Sequence, residues 1–141
     1  AFYSCGVPFL FARLSDDRAV GRARLDAVAA ARLLSEAPSS NVFLFANSPV
    51  DGFDWHARMF APGLGVDEDP ATGSAAAALA GWLAAQPGQR EGSARWRIAQ
   101  GVEMGRPSSI DLSAEIRDGE AVEVHVGGAS VLVAEGRFLH P

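Results

Sequence analysis

A short polar segment, residues 67–74 (DEDPATGS), has the residue types in this sequence that are best suited to chemistry. Asp69 supplies a carboxylate, and Thr72 and Ser74 are residue types that often begin helices. Gly73 lets the backbone pass close to a ligand. The N–H groups of a first helical turn bind anions, so a carboxylate beside them could exchange a proton with a bound acid. The alternative interpretation is that these residues only cap a helix.

The helix expected after this segment, residues 74–85, contains no charged residue. A helix that is apolar on every side is expected to be buried on every side. Because most of its residues are small, it is also thin, and a strongly curved sheet is needed to wrap it. A buried helix must satisfy its N-terminal N–H groups inside the protein or with a ligand, which favours ligand binding over simple capping.

The rest of the sequence supplies strands for such a sheet. Runs rich in β-branched and aromatic residues predict strands over residues 7–14, 41–47, 54–60, 95–100, 109–116, 121–126 and 130–134. Asp118-Gly119 predicts a hairpin turn, and residues 15–36 predict a helix with Val28 and Leu33 on its apolar face. We therefore predict an α+β fold, in which a strongly curved, mainly antiparallel, barrel-like sheet surrounds a central buried helix.

The composition indicates one domain over residues 1–141, because 48% of the 141 residues are hydrophobic. A net charge of −5 argues against nucleic acid or an anionic membrane as the partner. One cysteine excludes an intrachain disulfide, and no apolar run is long enough to span a membrane. We expect a soluble, cytoplasmic protein without a leader peptide, and the opening residues resemble the middle of a longer protein.

Other polar residues are weaker candidates. His56, His125 and His140 share no ligand spacing, so no metal site is predicted. His56 is expected on a strand, at the surface or half buried, and not in a catalytic role. Asp67 and Glu68 are expected to face solvent.

Three ordered blocks of the sequence resemble the PhzF-like (phenazine-biosynthesis-like) isomerase family. The first runs from Arg58-Met59-Phe60-Ala61-Pro62 through Gly65-Val66 to residues 68–75 (EDPATGSA). The second is residues 100–108 (QGVEMGRPS), and the third is Gly127-Gly128 with residues 130–133 and Glu135-Gly136. Together they cover most of the chain from about residue 53 onward.

The resemblance implies a diaminopimelate-epimerase-like fold of two similar halves, each a curved sheet around a central helix. The active site lies between the halves, and both helix N-termini point into it. Family members with an assigned reaction move a proton between carbons of a small cyclic acid, without metal or cofactor. By motif position Asp69 corresponds to the active-site aspartate, and Thr72, Gly73 and Ser74 correspond to substrate-binding residues at the helix start.

The resemblance assigns this chain to the C-terminal half of such a protein, without the glutamate base and the Gly-His pair of the N-terminal half. Three hypotheses remain open. The chain is an isomerase domain that acts on a small carboxylate together with an N-terminal half-domain, or it is a non-catalytic anion-binding protein. In the third, two copies form a homodimer and pair their Asp69 carboxylates as acid and base.

Overall fold

The computed structural model describes residues 1–88 and 91–139. The strands are β1 (Phe2–Cys5), β2 (Val7–Arg13), β3 (Val42–Asn47), β4 (Trp55–Ala61), β5 (Val66–Asp69), β6 (Gly92–Gln100), β7 (Ser108–Arg117) and β8 (Glu120–Gly127). The helices are α1 (Asp17–Arg22), α2 (Ala27–Leu33) and α3 (Gly73–Ala84), with a 3₁₀ turn at Pro62–Leu64.

The strands form one mixed sheet in the order β1-β2-β3-β4-β6-β7-β8, and β5 pairs with β4 beside this path. The β2–β3 and β4–β6 pairs are parallel, and the remaining pairs are antiparallel. The helix α3 packs against β1 and β2 as well as β7 and β8, which lie at opposite ends of the sheet. The sheet therefore curls around α3, and the predicted α+β fold with a mainly antiparallel, curved sheet is confirmed.

Most of α3 is buried because its small apolar residues meet strands on several sides. Seven of its 12 residues are buried, and Leu79 has no exposed surface. Only the first two residues, Gly73 and Ser74, are exposed. Close approach also explains a glycine at position 81, where an added Cβ would lie 3.0 Å from Cδ1 of Tyr3 in β1. The predicted central helix over residues 74–85 is confirmed within one residue at each end.

The strand β4 is buried on both faces, so it connects the core with an outer layer. Its alternate residues Trp55, Ala57, Met59 and Ala61 belong to the core around α3. The residues between them face the other side of the sheet, where α1 packs on β3 and β4. Aromatic rings thicken the core, including Phe45 and Trp82, whose ring centroids lie 4.9 Å apart.

The predicted helix over residues 15–36 is wrong in its extent, because two short helices form instead. Asp16 caps α1 through Ala19 N–H, and Asp26 caps α2 through Ala29 N–H. The side chain of Asp26 thus starts a new helix where the prediction had one continuous helix. The predicted apolar face is also wrong: Val28 is 82% exposed and Leu33 is 75% exposed, while the small Ala30 is buried.

The strands show one confirmed turn and three differences from the prediction. Asp118 and Gly119 have φ of 53° and 80° and join β7 to β8 in the predicted hairpin. The strands β1 and β5 were not predicted. Residues 130–134, a predicted strand, have no regular secondary structure, because none of the described strands lies beside them as a hydrogen-bonding partner. Among the described residues, no helix has the length and apolarity needed to cross a membrane.

Candidate functional site

Asp69 lies at the junction between the sheet and the buried helix. It is the last residue of β5 and pairs with Met59 in β4. Four residues later, α3 begins at Gly73. Pairing with β4 fixes the near end of this junction and the core holds the helix at its far end, so the Asp69 backbone has little freedom.

The Asp69 carboxylate is half buried and is oriented by Thr72. The Thr72 hydroxyl donates a hydrogen bond to Asp69 Oδ2 over 2.6 Å. Thr72 is buried and occupies the N-cap position of α3, yet its side chain makes no capping hydrogen bond. The hydroxyl that could have capped the helix is therefore used to hold the carboxylate, and the capping interpretation does not account for Thr72.

The first turn of α3 presents free N–H groups to solvent. Gly73 and Ser74 are exposed, and within the described part of the chain no protein acceptor meets either backbone N–H. The first N–H groups of a helix have no intrahelical acceptor, and the positive end of the helix dipole lies among them. Since α3 carries no charge of its own, an anion is the natural ligand of this turn.

Gln100 and Gly101 support the junction from the end of β6. Gln100 is fully buried, and its carboxamide contacts both Asp69 and Thr72. Gly101 has φ of 76°, and a Cβ added there would lie 2.8 Å from the Pro70 carbonyl oxygen. Both residues belong to the second block of the family resemblance, residues 100–108, but their role was not predictable, because their contacts to residues 69–72 join distant parts of the chain.

His56 belongs to a separate polar cluster on the α1 side of β4. It is buried, so the expectation of a surface or half-buried position is wrong. Its Nδ1 lies 2.6 Å from Asp17 Oδ1 and its Nε2 lies 3.3 Å from Glu103 Oε2. Both partners are acidic side chains, and these polar contacts compensate the burial of the ring. His125 is exposed, and His140 lies outside the described residues.

Arg58 is the centre of this second cluster. Its Nε and Nη2 each donate to Glu68 over 2.8 Å, while Nη1 donates to carbonyl oxygens at the C-terminal end of α1. The hydrogen-bonded Glu68 carboxylate raises the pKa of the guanidinium. Glu68 is only 15% exposed, so its expected solvent-facing position is wrong, whereas Asp67 is exposed. The cluster attaches α1 to the sheet.

The larger clefts of the described surface lie away from the start of α3. One of about 840 Å³ lies at the C-terminal end of α3, next to Tyr3 and the β7–β8 turn. Another of about 580 Å³ lies on the outer face of β6, β7 and β8. Neither of these two clefts is lined by Gly73 or Ser74. The start of α3 is instead an open surface.

Comparison with protein families identifies one match over nearly the whole chain. A family model described as PhzC-PhzF, phenazine biosynthesis-like protein, matches residues 1–136.

Relatives and a solved structure match the chain over about half of their own length. An uncharacterized isomerase of Mesorhizobium japonicum is 38% identical over 98% of this chain and 47% of its own. A trans-2,3-dihydro-3-hydroxyanthranilate isomerase of Pseudomonas fluorescens is 41% identical over 85% of this chain and 43% of its own. The crystal structure of a PhzF-family phenazine biosynthesis protein from Bacillus anthracis superimposes with a TM-score of 0.73 at 16% identity. It covers 93% of this chain and 48% of that protein.

Proposed function

Because the chain belongs to the PhzC-PhzF family of phenazine biosynthesis-like proteins, we propose that it forms one half of an isomerase active site. The reaction is a proton transfer between carbon atoms of a small carboxylate. Asp69 exchanges the proton, and the N–H groups of Gly73 and Ser74 bind the substrate carboxylate. Acid–base chemistry of side chains carries the reaction without a metal or cofactor.

One observation carries this proposal: a half-buried carboxylate stands beside free N–H groups of a helix start. Asp69 is four residues before the start of α3, and Thr72 holds one of its oxygens. A substrate whose carboxylate binds to the N–H groups of Gly73 and Ser74 would present its neighbouring carbon atoms toward the Asp69 carboxylate. General acid–base catalysis requires such a group within hydrogen-bonding reach of the proton it moves.

The names of relatives support a cyclic or amino-acid-like substrate. Three Pseudomonas relatives, 41–46% identical to the chain, are named trans-2,3-dihydro-3-hydroxyanthranilate isomerases. That name denotes a cyclic amino acid, which has the carboxylate that the start of α3 is suited to bind. We therefore propose a small cyclic or amino-acid-like carboxylate as the substrate class of this chain.

A second half-domain is proposed to complete the site. Asp69 is one acid–base group, and moving a carbon-bound proton from one carbon to another needs a donor and an acceptor. The chain spans about half the length of the curated relatives it matches. An open surface at Gly73 and Ser74 and exposed apolar side chains at Val131, Leu132 and Val133 also support a covering partner. We propose the N-terminal half-domain of the same protein, with a second copy of this chain as the alternative.

The test is solvent deuterium incorporation into dihydroaromatic and amino-acid-like carboxylates. The protein is assayed as the chain alone and as the complete protein that joins it to its N-terminal half, each with Asp69→Asn. We expect exchange by the complete protein, little by the chain alone, and a loss of about 10²–10⁴ in rate on Asp69→Asn. Asp67→Asn, which changes an exposed carboxylate of the same strand, is the matched control and should retain the rate.

Each other outcome excludes a specific part of the proposal. Full activity of the complete Asp69→Asn protein would show that Asp69 is not the proton-transfer group. Exchange by the chain alone as a monomer would refute the need for a second half. Exchange by the chain only at concentrations where it dimerises would replace the N-terminal half with a second copy.

A further inference from the structure

The fully buried carboxamide of Gln100 has only one possible orientation. It contacts two backbone groups, the carbonyl oxygen of Asp69 and the N–H of Thr72, and each can form a hydrogen bond in only one direction. A carbonyl oxygen can only accept and an N–H can only donate. The amide nitrogen must therefore face Asp69, over 2.7 Å, and the amide oxygen must face Thr72 N–H, over 3.2 Å.

This orientation determines where the Thr72 hydroxyl sends its proton. The same Gln100 Nε2 lies 2.9 Å from Thr72 Oγ1 and donates to it, since an amide nitrogen has no lone pair to offer. The hydroxyl hydrogen must then point to another acceptor. Asp69 Oδ2, at 2.6 Å, is in place to receive it. The direction of every hydrogen bond in the chain from Gln100 through Thr72 to Asp69 is thus set.

The two oxygens of the Asp69 carboxylate are therefore not equivalent. Oδ2 accepts from Thr72, and among the described residues no other hydrogen bond or ion pair reaches the carboxylate. Because the Thr72 hydroxyl donates its hydrogen to Oδ2, a proton bound to Oδ2 cannot lie along the same hydrogen bond. Oδ1 is left open for a ligand.

We propose that Gln100 and Thr72 are positioning residues that make Oδ1 of Asp69 the oxygen that exchanges the proton with substrate. This inference rests on the proposed function of Asp69. When Asp69 acts as a base, an O–H bond forms at Oδ1 as the substrate C–H bond breaks, and the electron pair stays on the substrate. When Asp69 acts as an acid, the same bonds change in the opposite direction, and Oδ2 stays bound to Thr72 throughout.

Gln100 can fill this role because it is itself held rigidly. It is the last residue of β6, with Ala57 of β4 as its neighbour on one side and Ser108 of β7 on the other. It has no exposed surface, so its rotamer cannot change without disturbing the core. A side chain anchored in the sheet thus holds the Asp69 carboxylate in a fixed position relative to the sheet. Precise placement of reacting groups strongly affects the reaction rate.

The first test compares steady-state exchange by the complete protein across four variants. Gln100→Met removes the carboxamide at similar volume, Thr72→Val removes the hydroxyl, and Thr72→Ser keeps it. We expect the first two to lower kcat by about 10- to 100-fold with KM little changed, because Gly73 and Ser74 still bind the substrate. Thr72→Ser should retain the parent kcat. Asn41→Leu is the control, because Asn41 is another buried amide, its side chain contacts the Pro8 carbonyl oxygen, and β4 lies between it and Asp69.

The second test needs no substrate and uses the chain alone. The Asp69 carboxyl carbon is observed by NMR after ¹³C labelling of aspartate, with assignment from Asp69→Asn. We expect Gln100→Met and Thr72→Val to shift this signal in the same direction, and Asn41→Leu to leave it in place. A general loss of stability would not produce that pattern, because Asn41→Leu also loses a buried hydrogen bond.

The outcomes separate this inference from the proposed function. If Asp69→Asn abolishes exchange while Thr72→Val and Gln100→Met keep the parent kcat, the positioning role is overturned and Asp69 stands. If Asp69→Asn leaves exchange intact, the proposed function fails, and the NMR signal alone decides whether Gln100 and Thr72 orient the carboxylate. An unchanged signal in Thr72→Val overturns that orientation, and this variant decides the matter if Gln100→Met does not fold.

Discussion

Substitution of Gly101 by alanine should distort the candidate site through a direct clash with the backbone. Gly101 has φ of 76°, and the added Cβ would lie 2.4 Å from the Arg106 carbonyl oxygen and 2.8 Å from that of Pro70. Both neighbours are main-chain atoms, which cannot move aside by changing a rotamer. Relief of the clash must therefore displace the segment between Asp69 and α3, the turn at Arg106, or both.

The expected loss in the free energy of unfolding has two parts. An alanine in the left-handed region costs about 1–2 kcal/mol, and overpacking at a rigid site adds about 1–3 kcal/mol. Gly65→Ala isolates the first part, because Gly65 has φ of 72° and nothing lies within 4 Å of its added Cβ. We expect the free energy of unfolding to fall by about 1–2 kcal/mol in Gly65→Ala and by about 2–5 kcal/mol in Gly101→Ala.

Urea unfolding of the chain measures both values, and hydrogen exchange of the Thr72 amide, which donates to Gln100 Oε1, reports on the site. Protection of this amide should fall in Gly101→Ala and stay at the parent level in Gly65→Ala. Equal losses of stability in the two variants would show that the clash is absorbed without cost, which would refute the tight contact between Gly101 and Pro70. A large loss without any change at Thr72 would place the displacement in the turn at Arg106.

Two further predictions concern charged groups outside the site. Arg58→Met should lower the free energy of unfolding by about 3–5 kcal/mol, because it leaves the largely buried Glu68 carboxylate without its partner. Arg97→Met breaks an ion pair whose side chains are about half exposed. It should lower the free energy of unfolding by less than about 1 kcal/mol in the same urea assay. The pKa of Asp16 is lowered from its ordinary value of 3.8 by the hydrogen bond from Ala19 N–H, so its contribution to stability should be complete above that value and be lost as the pH falls through the lower folded pKa. Circular dichroism unfolding across this pH range should show a smaller acid dependence in Asp16→Asn than in the parent, and an equal dependence would refute the contribution of this cap.

The central helix and the hairpin turn were predictable because their signals are local. An uncharged run of small residues needs burial whatever surrounds it, and Asp118-Gly119 matches the backbone requirements of a tight turn. The strand β5 was not predictable in the same way, since three of its four residues are acidic. It forms because β4 provides an edge with which it pairs and because Arg58 neutralises Glu68. Both contributions come from residues outside the strand.

The candidate site shows the same division between local and distant signals. Asp69, Gly73 and Ser74 could be proposed from the sequence because one contiguous motif contains them all. The role of Gln100 could not, because it depends on hydrogen bonds to residues 28 and 31 positions away. The burial of His56 was missed for a related reason: its acidic partners are Asp17 and Glu103, which are distant in sequence on either side.

The position of α3 within the sheet has a consequence for the order of folding. The strands that contact it come from before and after it in the sequence, and the last of them, β8, ends at Gly127. An isolated helix of this length is marginal in water, and α3 has no polar face to protect it until β7 and β8 arrive. Contacts between distant parts of a sequence slow folding. During synthesis, therefore, α3 emerges from the ribosome after β1 and β2 but before β7 and β8, and the side that these last two strands cover stays exposed until they follow.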